Sequence, residues 1–172
     1  MSALRCDPER VLVREATIED AAAMAAVMTA VAEEGVIGTE PPVDADDLAQ
    51  RFRRTIEDAG RAGIWVLEEA GRVLGHVGVR EPGAHGVLVL GMVILPEGRG
   101  RGGGRELLDR ALEHAQSSGA HKVELEVWPD NARAIALYAR AGFEVEGLRK
   151  AHYRRRDGSL RSALIMARLL GG

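Results

Sequence analysis

The chain has 172 residues, 26 acidic against 23 basic, with a net charge of −3 and a single cysteine. That length suits one domain with a real core, and the interspersed, nearly balanced charge excludes a global footprint for nucleic acid. A lone Cys6 excludes an internal disulfide, and no apolar run approaches membrane-spanning length, so a cytoplasmic protein with no membrane or nucleic-acid partner is expected.

Residues 1–9 carry Arg5, Asp7 and Glu9; they do not form a signal peptide and are expected to be a flexible extension of a single domain over 1–172. Val11, Leu12 and Val13 read as a short first strand. Thr17 and Asp20 have capping-box spacing, and Ala21, Met24, Ala25, Met28, Val31 and Ala32 recur at helical spacing before Gly35. The methionines read as core filling. After a loop at 33–42, a second helix opens near Asp44 with Leu48, Phe52, Ile56 and Ala59 on one face. The runs 64–68 and 73–80, split by Ala70-Gly71-Arg72, predict a hairpin. Residues 87–94 form the next apolar strand. A glycine-rich turn and a third helix (Leu107, Leu108, Ala111, Leu112, Ala115) follow. Residues 122–127 alternate with period two. Asn131 caps a fourth helix bearing Ala134, Ile135 and Tyr138, and residues 143–153 and 160–169 make two final strands. The order β-α-α-β-β-β-α-β-α-β-β predicts a mixed α/β sheet with helices packed on it.

The turn itself, Gly98-Arg99-Gly100-Arg101-Gly102-Gly103-Gly104-Arg105, is the strongest chemical signal. Glycines allow sharp turns and close backbone approach, and the unpaired amides opening a helix suit a phosphate. Three arginines add positive charge, so the segment reads as a pyrophosphate cradle. It lacks the Lys-Ser/Thr ending of a nucleotide-triphosphate loop. Gly98, Gly100 and Gly103 satisfy the dinucleotide spacing, but too little chain follows for that fold. An arginine–glycine RNA-binding segment does not fit between an apolar strand and an amphipathic helix. A purely structural turn would need fewer glycines.

Two blocks then carry a family resemblance. Ile94, Arg99, Gly102 and Gly104 fill the phosphate-loop pattern of the GNAT superfamily of acyl-CoA-dependent N-acetyltransferases. Leu125-Glu126-Val127, the run from Asn131 to Tyr138, and Gly142-Phe143 resemble its second motif, and the element order is similar along nearly the whole chain. The tail is similar to the branch acting on ribosomal-protein amino termini, polyamines or small amines. The resemblance implies a GNAT fold, a mixed, mostly antiparallel twisted sheet with a V-shaped cofactor cleft. It also implies acetyl transfer from acetyl-CoA to a primary amine by direct attack.

By that resemblance the backbone of Met92, Val93 and Ile94 would face the pantetheine arm, in the manner of strand addition. The pyrophosphate would take the amides of Gly100, Arg101, Gly102, Gly103, Gly104 and Arg105 beside the charge of Arg99, and Asn131 would contact the arm. Tyr138 would protonate the leaving sulfur and Glu126 would remove the amine proton, with Glu124 on the same face, or a water chain, as rivals. His76 and His85 are candidates to border the acceptor site, whose acidic loop (Glu33, Glu34, Glu40) hints at a cationic amine. No metal-ligand spacing is present. A different acyl donor, or a CoA-binding domain without turnover, stays open, as does a homodimer.

Overall fold

The computed structural model describes residues 11–58 and 61–171. The expected extension at 1–9, Cys6 and Ala59 lie outside the described residues. Seven strands form one sheet: β1 (Leu12–Glu15), β2 (Gly63–Glu69), β3 (Arg72–Arg80), β4 (Val87–Ile94), β5 (Lys122–Val127), β6 (Glu144–Arg154) and β7 (Leu160–Leu169). Four helices accompany them: α1 (Ala21–Glu33), α2 (Ala45–Glu57), α3 (Gly103–Ser117) and α4 (Ala132–Arg140). The spatial order is β1-β2-β3-β4-β5-β7-β6, and every pairing is antiparallel except β4 with β5.

Burial follows the periodicities. Leu107, Leu108, Ala111, Leu112 and Ala115 of α3 are all buried, and so are Met24, Ala25, Val31 and Ala32 of α1. The helices cover opposite faces of the sheet. Trp65 of β2 meets His114 of α3 edge-on at 5.1 Å, whereas His76 of β3 meets Phe52 of α2 at 5.1 Å. Met24 is core, as expected, while Met28 is half-buried and lines the cleft described below. The opening of α3 sits close on the sheet: a Cβ at Gly103 would lie 2.6 Å from Leu67 Cδ1, so this glycine is needed for helix–sheet approach.

One ion-pair cluster ties the start of α1 to the sheet edge. The Arg14 guanidinium on β1 donates to both Asp20 oxygens at 2.7 and 2.9 Å and to Glu68 of β2 at 2.8 Å, and Asp20 also accepts the Thr17 N–H at 2.8 Å. The hydrogen bonds from Arg14 hold the Asp20 carboxyl down at about 2, below its ordinary 3.8. A depressed carboxyl stabilises the fold above its unfolded pKa, and that stability is lost as pH falls through the folded value. After allowance for solvent screening the contribution is about 1–2 kcal/mol. Urea unfolding should therefore show wild type more stable than Asp20→Asn by that amount at neutral pH. The difference should close between pH 4 and pH 2, and a gap that persists unchanged at pH 2 would remove the ion pair as its cause.

Candidate active-site cleft

The sheet opens at its parallel pair. β4 and β5 are registered only at Val87–Lys122, Leu88–Val123 and Val89–Glu124, after which they part. β4 continues along β3 as far as Ile94, and β5 continues along β7 as far as Val127. The result is a V whose arms each keep one hydrogen-bonded neighbour. On β4 the Leu95 N–H donates to the Leu74 carbonyl at 2.8 Å, which fixes the alternation. Val93, like Leu95, turns its backbone groups to β3, while Met92 and Ile94 turn theirs to the gap. Val93 contributes its side chain to the cleft wall instead. The Ile94 carbonyl already accepts Arg99 Nε at 2.8 Å.

The glycine turn follows the end of β4, at the open end of this V. Gly100 and Gly102 have φ of +81° and +87°, backbone that a side chain would strain, and α3 starts at Gly103. The Arg105 and Glu106 amides return to the Gly102 carbonyl at 2.9 and 3.2 Å. The amides of Gly103 and Gly104 come before the helical ladder and remain available to an anion. The three arginines behave differently from the sequence expectation of a free cationic cluster. Arg99 is bidentate to Glu34 at 2.7 and 2.8 Å, Arg101 pairs with Glu69, and Arg105 donates to Asp109 at 2.9 Å. Their charge is locally offset, and the backbone carries the cradle. A further cation enters from α4: Arg133 Nη2 lies 3.3 Å from where a Gly100 Cβ would be, and it has no ion pair among the described residues. Nothing in the glycine motif could signal a residue so far downstream; its only signal is its place two residues after the Asn131 cap.

Along the parting strands lies a cleft of about 620 Å³ whose lining includes Met92, Val93, Glu126, Asn131, Tyr138 and His76. Tyr138 is 6% exposed, packs against Phe143 at 5.7 Å, and burial pushes its phenol up to about 12. Asn131 caps α4 by accepting the Ala134 N–H at 3.1 Å, which leaves its amide nitrogen for other use. His76 is buried and neutral, its pKa lowered to about 4 by burial. His85 is exposed beside Glu81 and is not part of the lining.

Glu126 and Glu124 part company in three dimensions. Glu126 lines the cleft; Glu124 does not and pairs with Lys122 at 3.4 Å. Both Glu126 oxygens are engaged, one by Arg149 and one by the Tyr153 hydroxyl, each reaching across β7 from β6. A bulge makes this double contact geometrically feasible. Arg149 stands opposite Ala163 and Tyr153 opposite Arg161, so four residues of β6 span two of β7. The two side chains thus start about 7 Å apart along the edge, where a regular strand would separate them by about 13 Å. Ala151, inside the bulge, has φ of +50°, and its N–H donates to Ser162 Oγ at 2.9 Å.

Two of the three carboxylates in the acidic loop have partners. Glu34 serves Arg99, and Glu40 pairs with Arg155 at 3.6 Å and accepts the Arg156 N–H at 3.0 Å. Neither carboxylate stands ready for a cationic acceptor. Among the described residues no group of three His, Cys, Asp or Glu side chains could hold a metal, and no helix is long and apolar enough to cross a membrane.

Comparison with known proteins finds that a sequence model of the acetyltransferase (GNAT) family matches residues 23–143. An uncharacterized protein of Mycobacterium leprae is 36% identical over 143 residues, which cover 73% of this chain but 39% of that protein's length. The L-methionine sulfoximine/L-methionine sulfone acetyltransferase of Pseudomonas aeruginosa is 30% identical over 78% of this chain and 81% of its own. Among solved structures, a ribosomal-protein-alanine N-acetyltransferase from Brucella melitensis superimposes with a TM-score of 0.83 at 27% identity, covering 92% of this chain and 99% of that one.

Arg133 yields a direct test. Since it holds no partner of its own, Arg133→Ala should leave the melting temperature within about 1 °C while weakening CoA about 3- to 30-fold by calorimetry, as for one exposed charge-assisted contact. Unchanged affinity would remove Arg133 from the cradle.

Proposed function

Because the chain belongs to the GNAT family of acetyltransferases, we propose that it transfers the acetyl group of acetyl-CoA to a primary amine by direct attack. The observation that carries this reading is the parting of β4 and β5 beyond Val89 and Glu124, with Tyr138 and Glu126 both lining the space it opens. The backbone of Met92 and the Ile94 N–H face that gap, so an amide-bearing arm can complete the sheet there as an added strand. The Gly103 and Gly104 amides and Arg133 suit the pyrophosphate at its end. Asn131 is assigned to the arm alongside its capping role. A small-molecule acceptor is supported by the methionine sulfoximine and sulfone acetyltransferase among the relatives.

The neutral amine attacks the thioester carbonyl carbon, a C–N bond forms, the C–S bond breaks, and the sulfur leaves with a proton. Tyr138 is the acid. Burial raises the phenol, but it also raises a thiol leaving into the same buried space, so their order of acidity is kept. Glu126 is the base for the amine proton, oriented by Arg149 and Tyr153. A carboxylate held at two oxygens is fixed in direction, which favours a short transfer to one face.

Thiol release from acetyl-CoA with a panel of amines tests the whole reading. Wild type should turn over, and Tyr138→Phe should keep CoA affinity while kcat falls about ten- to a thousand-fold. Binding of CoA with no release for any amine would favour a non-catalytic domain.

The pH profile carries a second expectation. A Tyr138 pKa raised to about 12 keeps the acid protonated through the ordinary phenol range, so kcat should not fall between pH 9 and 10.5. Glu126→Gln should lower kcat most at low pH, whereas loss of a mere attraction would raise KM. A basic limb centred near 10 in wild type, absent in Tyr138→Phe, would contradict the buried-acid assignment.

A further inference from the structure

Two glycines face each other across β3 and β4 with no structural need for either. Gly78 and Gly91 are directly opposed, in a register that runs from Gly75–Ile94 to Arg80–Val89 without a bulge. Neither has a positive φ. A Cβ at Gly91 would meet nothing within 4 Å, and one at Gly78 would come no closer than 3.6 Å, to Ile64 Cγ1. Gly75, also on β3, is different, because its Cβ would lie 2.8 Å from the Val93 carbonyl oxygen. Glycine inside a strand weakens it. Where neither backbone nor packing calls for it, it marks a place where a ligand comes close.

The pair lies on the floor of the cleft. Side chains alternate along a strand, so His76, Gly78 and Arg80 share one face with Val89, Gly91 and Val93. That face is turned to α2, where His76 meets Phe52, and all of these residues line the cleft. Gly91 is exposed although it sits in the interior of its strand. The missing side chains leave a bare strip between His76–Val93 at one end and Arg80–Val89 at the other, about 13 Å apart along the strands. The parallel pair sets its place relative to the base. Val89 stands beside Glu124, so two residues on, Gly91 and Glu126 look onto the cleft at the same level from opposite arms of the V.

The charges around the strip select against a second positive charge. Arg80 at its end and Arg51 of α2 line the cleft with no ion pair among the described residues. Of the carboxylates in the lining, Glu126 and Glu40 are ion-paired, and Asp44 accepts the Asp46 and Asp47 amides at 3.1 and 3.0 Å. Only Asp47 is left to answer the two arginines. A guanidinium without a carboxylate partner suits the face of an aromatic ring. A floor of peptide groups without side chains is flat enough to receive that ring.

Resting on the acetyltransferase reading above, we propose that the strip over Gly78 and Gly91 is the subsite for the body of the acceptor, and that this body is a flat aromatic ring on a short alkyl link, an arylalkylamine. The amine lies at Glu126 beside Gly91, the ring covers the two glycines, and the arginines stand at its far end. Gly78 and Gly91 determine specificity through the side chains they lack.

The test compares phenethylamine with its saturated counterpart cyclohexylethylamine, and with spermidine and alanine, by thiol release from acetyl-CoA. Wild type should favour phenethylamine over each of the others by about 3- to 30-fold in kcat/KM, the range for one ring held against a guanidinium. Gly91→Val fills the open space with a side chain that suits a strand, so the variant should keep its melting temperature and its CoA affinity. Its KM for phenethylamine should rise about 10- to 100-fold, and the preference should collapse. Equal or better use of cyclohexylethylamine, spermidine or alanine by wild type, or an unmoved KM in a folded Gly91→Val, overturns the proposal and leaves acetyl transfer standing. Absence of thiol release with every amine overturns the transfer reading and the proposal with it. Should Gly91→Val fail to fold, Gly78→Ala decides: its Cβ makes only an ordinary contact with Ile64, and it should raise the same KM.

Discussion

The molecule is organised around an unfinished hydrogen-bond ladder. Inside a sheet every backbone N–H and C=O ordinarily has a neighbour, and exposing them unpaired in a core is costly. Here β4 and β5 give up their shared ladder after three residue pairs. The loss is tolerated because each strand retains its other partner, β3 for β4 and β7 for β5. It is also tolerated because the freed edge opens onto a cleft and not into packed side chains. The position of the glycine turn follows from this, since β4 must end beside the opening for α3 to aim its first amides there. The walls follow too, with α1 and α2 on one face and α4 beside the gap.

The electrostatics are arranged so that charge is spent on shape. Arg99 binds Glu34 and the Ile94 carbonyl, joining the cradle to the end of α1. Arg149 and Tyr153 fix Glu126, and Arg161 fixes Trp128. Each of these cations orders a neighbour that faces the cleft. Tyr138, by contrast, is kept neutral by burial alone, which suits a group that must carry a proton into a dry space.

Much of the fold was legible in the sequence because the apolar spacing and the glycine stops agreed at most elements; the α3 stripe and the period-two β5 are examples. The cradle and Tyr138 were legible because they belong to contiguous motifs. The partners of the site were not. Arg149 and Tyr153 are brought to Glu126 and Trp128 by register, by the crossing of β7 between β5 and β6, and by a bulge, none of which leaves a local pattern, while Arg133 reaches the glycine turn through the placing of α4. The pairing of the arginines was hidden for the same reason, since Glu34 and Glu69 lie 65 and 32 residues from their partners. The backbone role of Val93 needed the strand parity, which a contiguous motif does not state.

The bulge in β6 also bears on how relatives are compared. Between Arg149 and Tyr153 it holds two residues more than the matching stretch of β7, so the two strands of one hairpin differ in length between the same register points. In a relative with a regular β6, an alignment would open a two-residue gap here. Residues that still look matched on either side of that gap would no longer converge on one carboxylate. Kinship scored by identity alone would overlook the change, although it dismantles the support of Glu126. Chain length between these two positions is thus part of the site's construction, because it sets whether both side chains can reach one carboxylate.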